Sequence, residues 1–469
     1  MSRPTEESQS RQRVLKALRA LLATEYGPGS RLPSVRELTR KHQVGPVTVS
    51  AALAELVREG LIVTQPGRGT FVAEAAPSAP VRDLGWQTVA LSGSLVLPGE
   101  LQAMLGPPPS GLIPFGSGYG DEALYPLDLL NRTTARVARR SSVWSRLPPE
   151  GLEPLRTWFA QQLSHEHRLD DVLIAPGGQS ALSTALRALV PTGAPLLVES
   201  PTYYGVLAAA RMIGARLIPV PTDHQGVRPD LLRAAFQASG AKVLYLQPLY
   251  ANPTGAVLAP ERRAAVIEAA EQAGAFIIED DYARDLNLQG DLPAPLAAMA
   301  PDRVVYLRSI TKSTAPGLRV AAIAALGPVR TRLRNARAVE DFFLSGPIQE
   351  TALQVLTSRA WPRHVQHLRL TLRERRDVMQ AALAREAPHL RVTGTPAGGF
   401  NLWVRLPEHT DDLAFVAEAA RRGVQISAGR NYFPAESDGS FVRLSYAACS
   451  PLVIREGVSR LTSIAHGKA

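Results

Sequence analysis

Val14, Leu15, Leu18, Leu21 and Leu22 recur at three- and four-residue intervals, the spacing of one apolar helix face. Ser34 stands three residues before Glu37, the spacing of a capping box, and predicts a second, short helix running through Arg40. A third helix is expected over residues 46–59, with Val49, Leu53, Leu56 and Val57 inward and Gly60 as its stop. Two short strands follow, over residues 61–64 and 70–72, joined by the tight turn Gln65-Pro-Gly-Arg-Gly69. Three helices followed by a hairpin make a winged helix-turn-helix. Past residue 110 the pattern changes. Continuous apolar runs (Leu-Leu-Val-Glu-Ser, Val-Leu-Tyr-Leu-Gln-Pro, Phe-Ile-Ile-Glu-Asp-Asp, Arg-Val-Val-Tyr-Leu-Arg-Ser) alternate with amphipathic stretches. Strands of that kind, separated by helices, predict a mostly parallel sheet covered on both faces. Residues 76–110 are rich in Ala, Pro, Gly and Ser and read as a linker, with an apolar stretch at 89–97 able to dock. The expected division is therefore a head of residues 1–75, a linker of 76–110 and a body of 111–469.

Composition narrows the class. The chain is 45% hydrophobic and 20% charged, as soluble globular proteins are. No apolar run approaches the roughly 20 residues that span a bilayer, so no membrane partner is expected. The polar N-terminus lacks the apolar core of a signal peptide. Cys449 is the single cysteine, which excludes an intrachain disulfide and a cysteine-built zinc cluster; no metal is expected, and residence is expected to be cytoplasmic. The net charge is +10, and residues 1–75 hold eleven Lys and Arg against seven Asp and Glu, a net +4. That balance favours an acidic partner, nucleic acid first.

The head then becomes specific. Its text, GSRLPSVRELTRKHQV followed by VTVSAALAELVREGLIVTQPGRGTFV, resembles the DNA-binding domain of GntR-type bacterial regulators over about residues 10–73. The resemblance implies that the third helix enters the major groove and the wing lies along the minor groove of double-stranded operator DNA. Arg36, Thr48, Ser50, Arg58, Arg68 and Gly69 occupy the positions expected to touch DNA. In place of the usual Ser-Arg pair at the helix entry, this chain has Gly45-Pro46.

In the body, several motifs occur in an order that one cofactor would demand. Pyridoxal phosphate (PLP) needs a lysine for a Schiff base, an anion on its ring nitrogen, a phosphate cup and a partner for the ring hydroxyl. Ser309-Ile-Thr-Lys312 follows an expected strand and precedes Arg319 by seven residues. Ser-x-x-Lys also marks serine acylases, but no Lys-Thr-Gly follows here. Asp280 ends an apolar strand, where it can keep a pyridine nitrogen protonated, and Tyr282 can donate to the ring hydroxyl. Asn252-Pro-Thr-Gly255 is a turn whose amide can reach the phenolate oxygen. Gly-Gly178-Gln179-Ser opens a helix after a strand, an arrangement that suits a phosphate, with Ser309 and Arg319 to complete the cup.

With Glu199-Ser-Pro-Thr-Tyr203 and Arg443-Leu-Ser-Tyr446, these motifs form the order seen in fold-type I aminotransferases, over about residues 111–465. The resemblance implies an α/β body with large and small subdomains. It implies that Lys312 bonds the cofactor, Asp280 pairs with the ring nitrogen, and Asn252 and Tyr282 hold the ring hydroxyl. It further implies that Tyr203 stacks on the ring, that Gly178, Gln179, Ser309 and Arg319 hold the phosphate, and that Arg443 receives a substrate carboxylate. A GntR-type head on such a body resembles the MocR family, with its GabR-like and PdxR-like members. That family implies a head-to-tail homodimer that senses PLP, alone or with an amine or amino acid; a regulator that must keep its ligand state is expected to show little or no transaminase turnover. Where the family shows Tyr-Gly-Asp-Pro-x-Gly, this chain reads Arg146-Leu-Pro-Pro-Glu-Gly151, so Arg146 replaces a tyrosine lent to the neighbour's phosphate. The competing expectations are a working aminotransferase carrying a DNA-binding head and a cofactor-free dimerisation module.

Overall fold

The computed structural model describes residues 6–73, 84–91, 106, 111–164, 166–462 and 464. Most of the expected linker lies outside these. Within it, Gly85–Ala90 is a short helix, and Trp86, Val89 and Leu91 around it are exposed. The chain divides into two compact units between residues 93 and 94.

The first unit holds α1 (Glu6–Thr24), α2 (Val35–His42), α3 (Pro46–Arg58), β1 (Ile62–Gln65) and β2 (Gly69–Val72). Its core is Val14, Leu15, Leu18, Leu32, Leu38, Val49, Ala52, Leu53, Leu56 and Ile62. The capping box forms: the Ser34 amide donates to Glu37 Oε2 at 2.7 Å and the Glu37 amide donates to Ser34 Oγ at 3.3 Å. One expected core residue is not inward. Val57 is 41% exposed, because the buried arc of α3 is 49, 52, 53 and 56, and position 57 falls a further 100° round the helix. Ala52 takes the inward place instead. The strands pair antiparallel from Ile62↔Val72 to Gln65↔Gly69, and the Arg68 amide closes the turn on the Gln65 carbonyl.

The second unit is built on an eight-stranded sheet in the order β3-β10-β9-β8-β7-β4-β5-β6. The strands are β3 (Val172–Ala175), β4 (Pro195–Ser200), β5 (Arg216–Asp223), β6 (Gly226–Val227), β7 (Val243–Leu246), β8 (Phe276–Asp281), β9 (Val304–Ser309) and β10 (Ala321–Ala324). From β9 through β5 neighbours are parallel. β10 is reversed, so β3, antiparallel to it, runs with the parallel set. Alternate residues serve two cores: Leu244 and Leu246 enter one, Val243 and Tyr245 the other. Both faces are covered, which is why the strands read as continuous apolar runs. A smaller antiparallel sheet, β11 (Arg391–Val392), β12 (Asn401–Arg405), β14 (Phe441–Ser445) and β13 (Ser427–Ala428) in that order, packs with the long helix Trp361–Glu386 in its own core. Among the described residues no helix is long and apolar enough to cross a membrane.

Candidate functional site

In the head, Arg36, Ser50, Arg58 and Arg68 are exposed, and Thr48 and Gly69 are half-buried. Arg19 and Arg11 have another use: they pair with Glu59 and Glu55 and tie α1 to α3. Gly69 has a φ of +118°, and a Cβ there would lie 2.9 Å from Arg31 Nε. Arg31 thus packs against the base of the wing, a role its sequence neighbours do not announce. Pro46 occupies the first turn of α3 behind Gly45, which offers no side-chain cap.

In the body, the C-terminal ends of β3, β4, β7, β8 and β9 open on one edge of the sheet, the edge where ligands bind in parallel sheets. Asp280, at the end of β8, is buried and accepts from Tyr245 Oη at 2.7 Å and Gln247 Nε2 at 2.8 Å. Both donors go to Oδ2. Burial raises its carboxyl to about 6 against those two hydrogen bonds.

Lys312 follows β9 by three residues and is half-buried. Its Nζ donates to the Gly118 carbonyl at 2.6 Å and sits 3.6 Å above the centre of the Tyr119 ring. Desolvation, then the nearby Arg443 and Arg319 guanidinium groups, lower its ammonium to about 7. A large share of the amine is therefore neutral and nucleophilic near neutral pH.

Arg443, on β14, is buried; its Nη2 donates to the Gly116 carbonyl at 2.7 Å and its Nη1 to Asn252 Oδ1 at 3.2 Å. Its Nε is buried without a hydrogen-bond partner. Because Oδ1 of Asn252 is taken by Arg443, the Asn252 amide NH2 is left to face a ligand. The Tyr282 hydroxyl donates to the Tyr250 carbonyl at 2.8 Å. Gly177, not Gly178, carries the strained turn: its φ is +97°, and a Cβ on it would run into the Arg319 guanidinium. A Cβ on Gly178 would lie 3.2 Å from the Ser309 side chain. Gln179 donates to the Gly205 carbonyl at 3.0 Å and accepts from Tyr203 Oη at 3.0 Å, which fixes the Tyr203 ring. Arg146 places its Cζ 5.5 Å from the centre of the Phe343 ring.

The structure thus brings Asp280, Asn252, Lys312, Arg319, Ser309 and Arg443 to one sheet edge. Tyr245, Gln247 and Tyr119 join them without having been anticipated, and Gly177 joins them as the first glycine of the Gly-Gly turn. Tyr119 was legible, since it directly follows Phe115-Gly-Ser-Gly118, which resembles the segment near the substrate carboxylate in fold-type I aminotransferases. Gln247 and Tyr245 were not, since they meet Asp280 across the sheet over more than thirty residues of chain.

Comparison with known proteins agrees with this geometry. Residues 10–72 match the bacterial regulatory proteins of the gntR family, and residues 123–461 match aminotransferase class I and II. The HTH-type transcriptional regulator TauR of Rhodobacter capsulatus is 31% identical, over 94% of this chain and 93% of its own length. The 2-aminoadipate transaminase of Thermus thermophilus is 30% identical over 75% of this chain. The crystal structure of LysN, an alpha-aminoadipate aminotransferase from Thermus thermophilus complexed with N-(5'-phosphopyridoxyl)-L-leucine, superposes with a TM-score of 0.73 at 28% identity. It covers 79% of this chain and 94% of its own. The transaminase match covers 75% of this chain, the regulator match 94%. The chain therefore belongs to the class I and II aminotransferase family in its body and, with its gntR-type head, to the MocR family of HTH-type transcriptional regulators.

Proposed function

We propose that this regulator takes PLP as its ligand, bonded at Lys312, and reads PLP alone or PLP carrying an amine or amino acid. The observation that carries the reading is the Lys312 amine, held by the Gly118 carbonyl at 2.6 Å, influenced by Asp280, Arg319 and Arg443, and drawn down to about 7. The surrounding residues suit the same molecule. The Asp280 carboxylate fits a protonated ring nitrogen, the Asn252 amide a phenolate, and the Gly177 turn with Ser309 and Arg319 a phosphate. The buried, unpartnered Nε of Arg443 fits a carboxylate on a second ligand. When bound, PLP supplies an aldehyde that bonds amines and a ring that withdraws electrons. The protein supplies the neutral amine, the anion that holds the ring, and the exclusion of water.

The head binds operator DNA and works where the genome is, in the cytoplasm. The exposed aromatic residues Trp144, Phe342 and Phe343 beside Arg146 support a homodimer, arranged head-to-tail as the family resemblance implies. Turnover is expected to be slow or absent, since a regulator that destroys its ligand loses its signal. Purified protein should show a visible absorption band with PLP, and Lys312→Ala should abolish it. Cofactor that borohydride still fixes to the Lys312→Ala chain would overturn the assignment. Sustained transamination near the roughly 10 per second of ordinary enzymes, with any common amino acid and keto acid, would favour a working aminotransferase.

A further inference from the structure

Gln247 is the first residue after β7, and each polar group it offers toward the site is engaged. Its backbone amide donates to Glu199 Oε2 at 2.8 Å. Its side-chain Nε2 donates to Asp280 Oδ2 at 2.8 Å. Its side-chain Oε1 accepts from the Asn252 backbone amide at 2.9 Å. Glu199 is itself buried at the end of β4, with its carboxyl raised to about 8 by burial. A carboxyl held mostly neutral there anchors the Gln247 backbone without placing a second full negative charge beside Asp280. The side chain is 2% exposed, so neither amide contact has water as a ready substitute.

We propose that the Gln247 carboxamide is a positioning group that sets, through its two ends, both the anion for the cofactor's ring nitrogen and the turn that presents Asn252 to the ring oxygen. It rests on the PLP reading above. Asp280 and Asn252 would serve two positions of one ring, its nitrogen and its hydroxyl oxygen, and a single amide joins their supports. Its geometry is directional: Nε2 can only donate and Oε1 can only accept. A group that donates to Asp280 keeps the carboxylate ionised. A group that accepts from the Asn252 amide holds the start of the Asn-Pro-Thr-Gly turn. The hydroxyl of Tyr245 shares the first task but has no part in the second.

Two variants test this on the full chain, read by PLP affinity from fluorescence and by the pH titration of the visible band. Gln247→Leu removes both contacts. It should weaken PLP about tenfold or more, the scale of a lost buried hydrogen bond to a charged group, and move the band's titration to higher pH. Gln247→Glu is the discriminating variant. Its carboxyl, when protonated, donates to Asp280 and accepts from Asn252 as the amide does; when ionised, it sets a second negative charge against Asp280. Its PLP affinity should therefore approach wild type at low pH and fall away as pH rises, with a slope the wild type lacks. A purely structural role would lower affinity in both variants equally at every pH. Unchanged affinity and titration in Gln247→Leu, or no recovery of Gln247→Glu at low pH, would overturn the proposal while the wild-type band stands. A wild-type chain with no band at any PLP concentration overturns the PLP reading, and the proposal with it.

Discussion

The chemistry of this chain is concentrated in few side chains whose charges are set by their neighbours. Lys312 shows the effect most directly. Burial comes first and the cations Arg443 and Arg319 second in pushing its ammonium down to about 7, with Asp280 pulling weakly the other way. Capture of PLP needs the neutral amine, so its rate should level off above pH 7 and fall about tenfold per unit below it. An ordinary lysine would keep gaining up to pH 10. Stopped-flow absorbance from pH 5.5 to 9 measures the midpoint, and a midpoint near 10 would refute the burial argument. Arg443→Gln should raise that midpoint by removing the larger of the two repulsions. Lys312, Asp280 and Arg443 were legible as residues because each lies in a motif whose chemistry demands it. Their perturbed charges were not, because desolvation belongs to the folded surroundings and has no signature in the local text.

Secondary-structure elements fix where those side chains stand. Apolar runs ending in polar residues announced β4, β7, β8 and β9, and the Ser34 to Glu37 spacing announced the start of α2. The Gly-Gly turn was legible as a turn, but not its inner geometry. Of the pair it is Gly177 that adopts φ +97° and packs against the Arg319 guanidinium. A pair of glycines does not say which of them holds the positive φ. Val57 was misread for a similar reason, since helical spacing leaves the edge of a buried arc to be decided by what packs there. Gly177→Ala should cost about 1–2 kcal/mol of backbone strain and displace Arg319, weakening PLP about tenfold or more by fluorescence titration. Gly193→Ala is the control. It has a similar positive φ of +79° with open space around it, so it should destabilise the fold without altering PLP affinity. Equal affinity loss in the two would remove the phosphate-cup assignment.

At the scale of the whole chain, two units carry two kinds of recognition, and charge separates them. Arg36, Arg58 and Arg68 are exposed, as the proposed docking face requires, whereas Arg11 and Arg19 pair with Glu55 and Glu59. Replacing any of the first three by alanine should lower the slope of log affinity against log salt by about 1, measured by fluorescence anisotropy on operator DNA. Arg19→Ala should leave that slope alone. Three unchanged slopes would refute the docking face. The two-unit plan was legible from the change in hydrophobic period near residue 110, since each period can bury only one kind of surface. Arg31 at the wing and Gln247 beneath the ring site were not, being placed by contacts distant in sequence. One feature of the body gives the plan its wider sense. Lys312 and Arg443, the two cations that ligands would claim, both rest on carbonyls of a single short stretch, Gly118 and Gly116. That stretch comes in sequence soon after the connecting segment from the head. A ligand bonded at Lys312 must win that amine from the Gly118 carbonyl, whereas a carboxylate can meet the unpartnered Nε of Arg443 while Nη2 keeps its hold on Gly116, so the first occupant costs the chain a contact and the second does not.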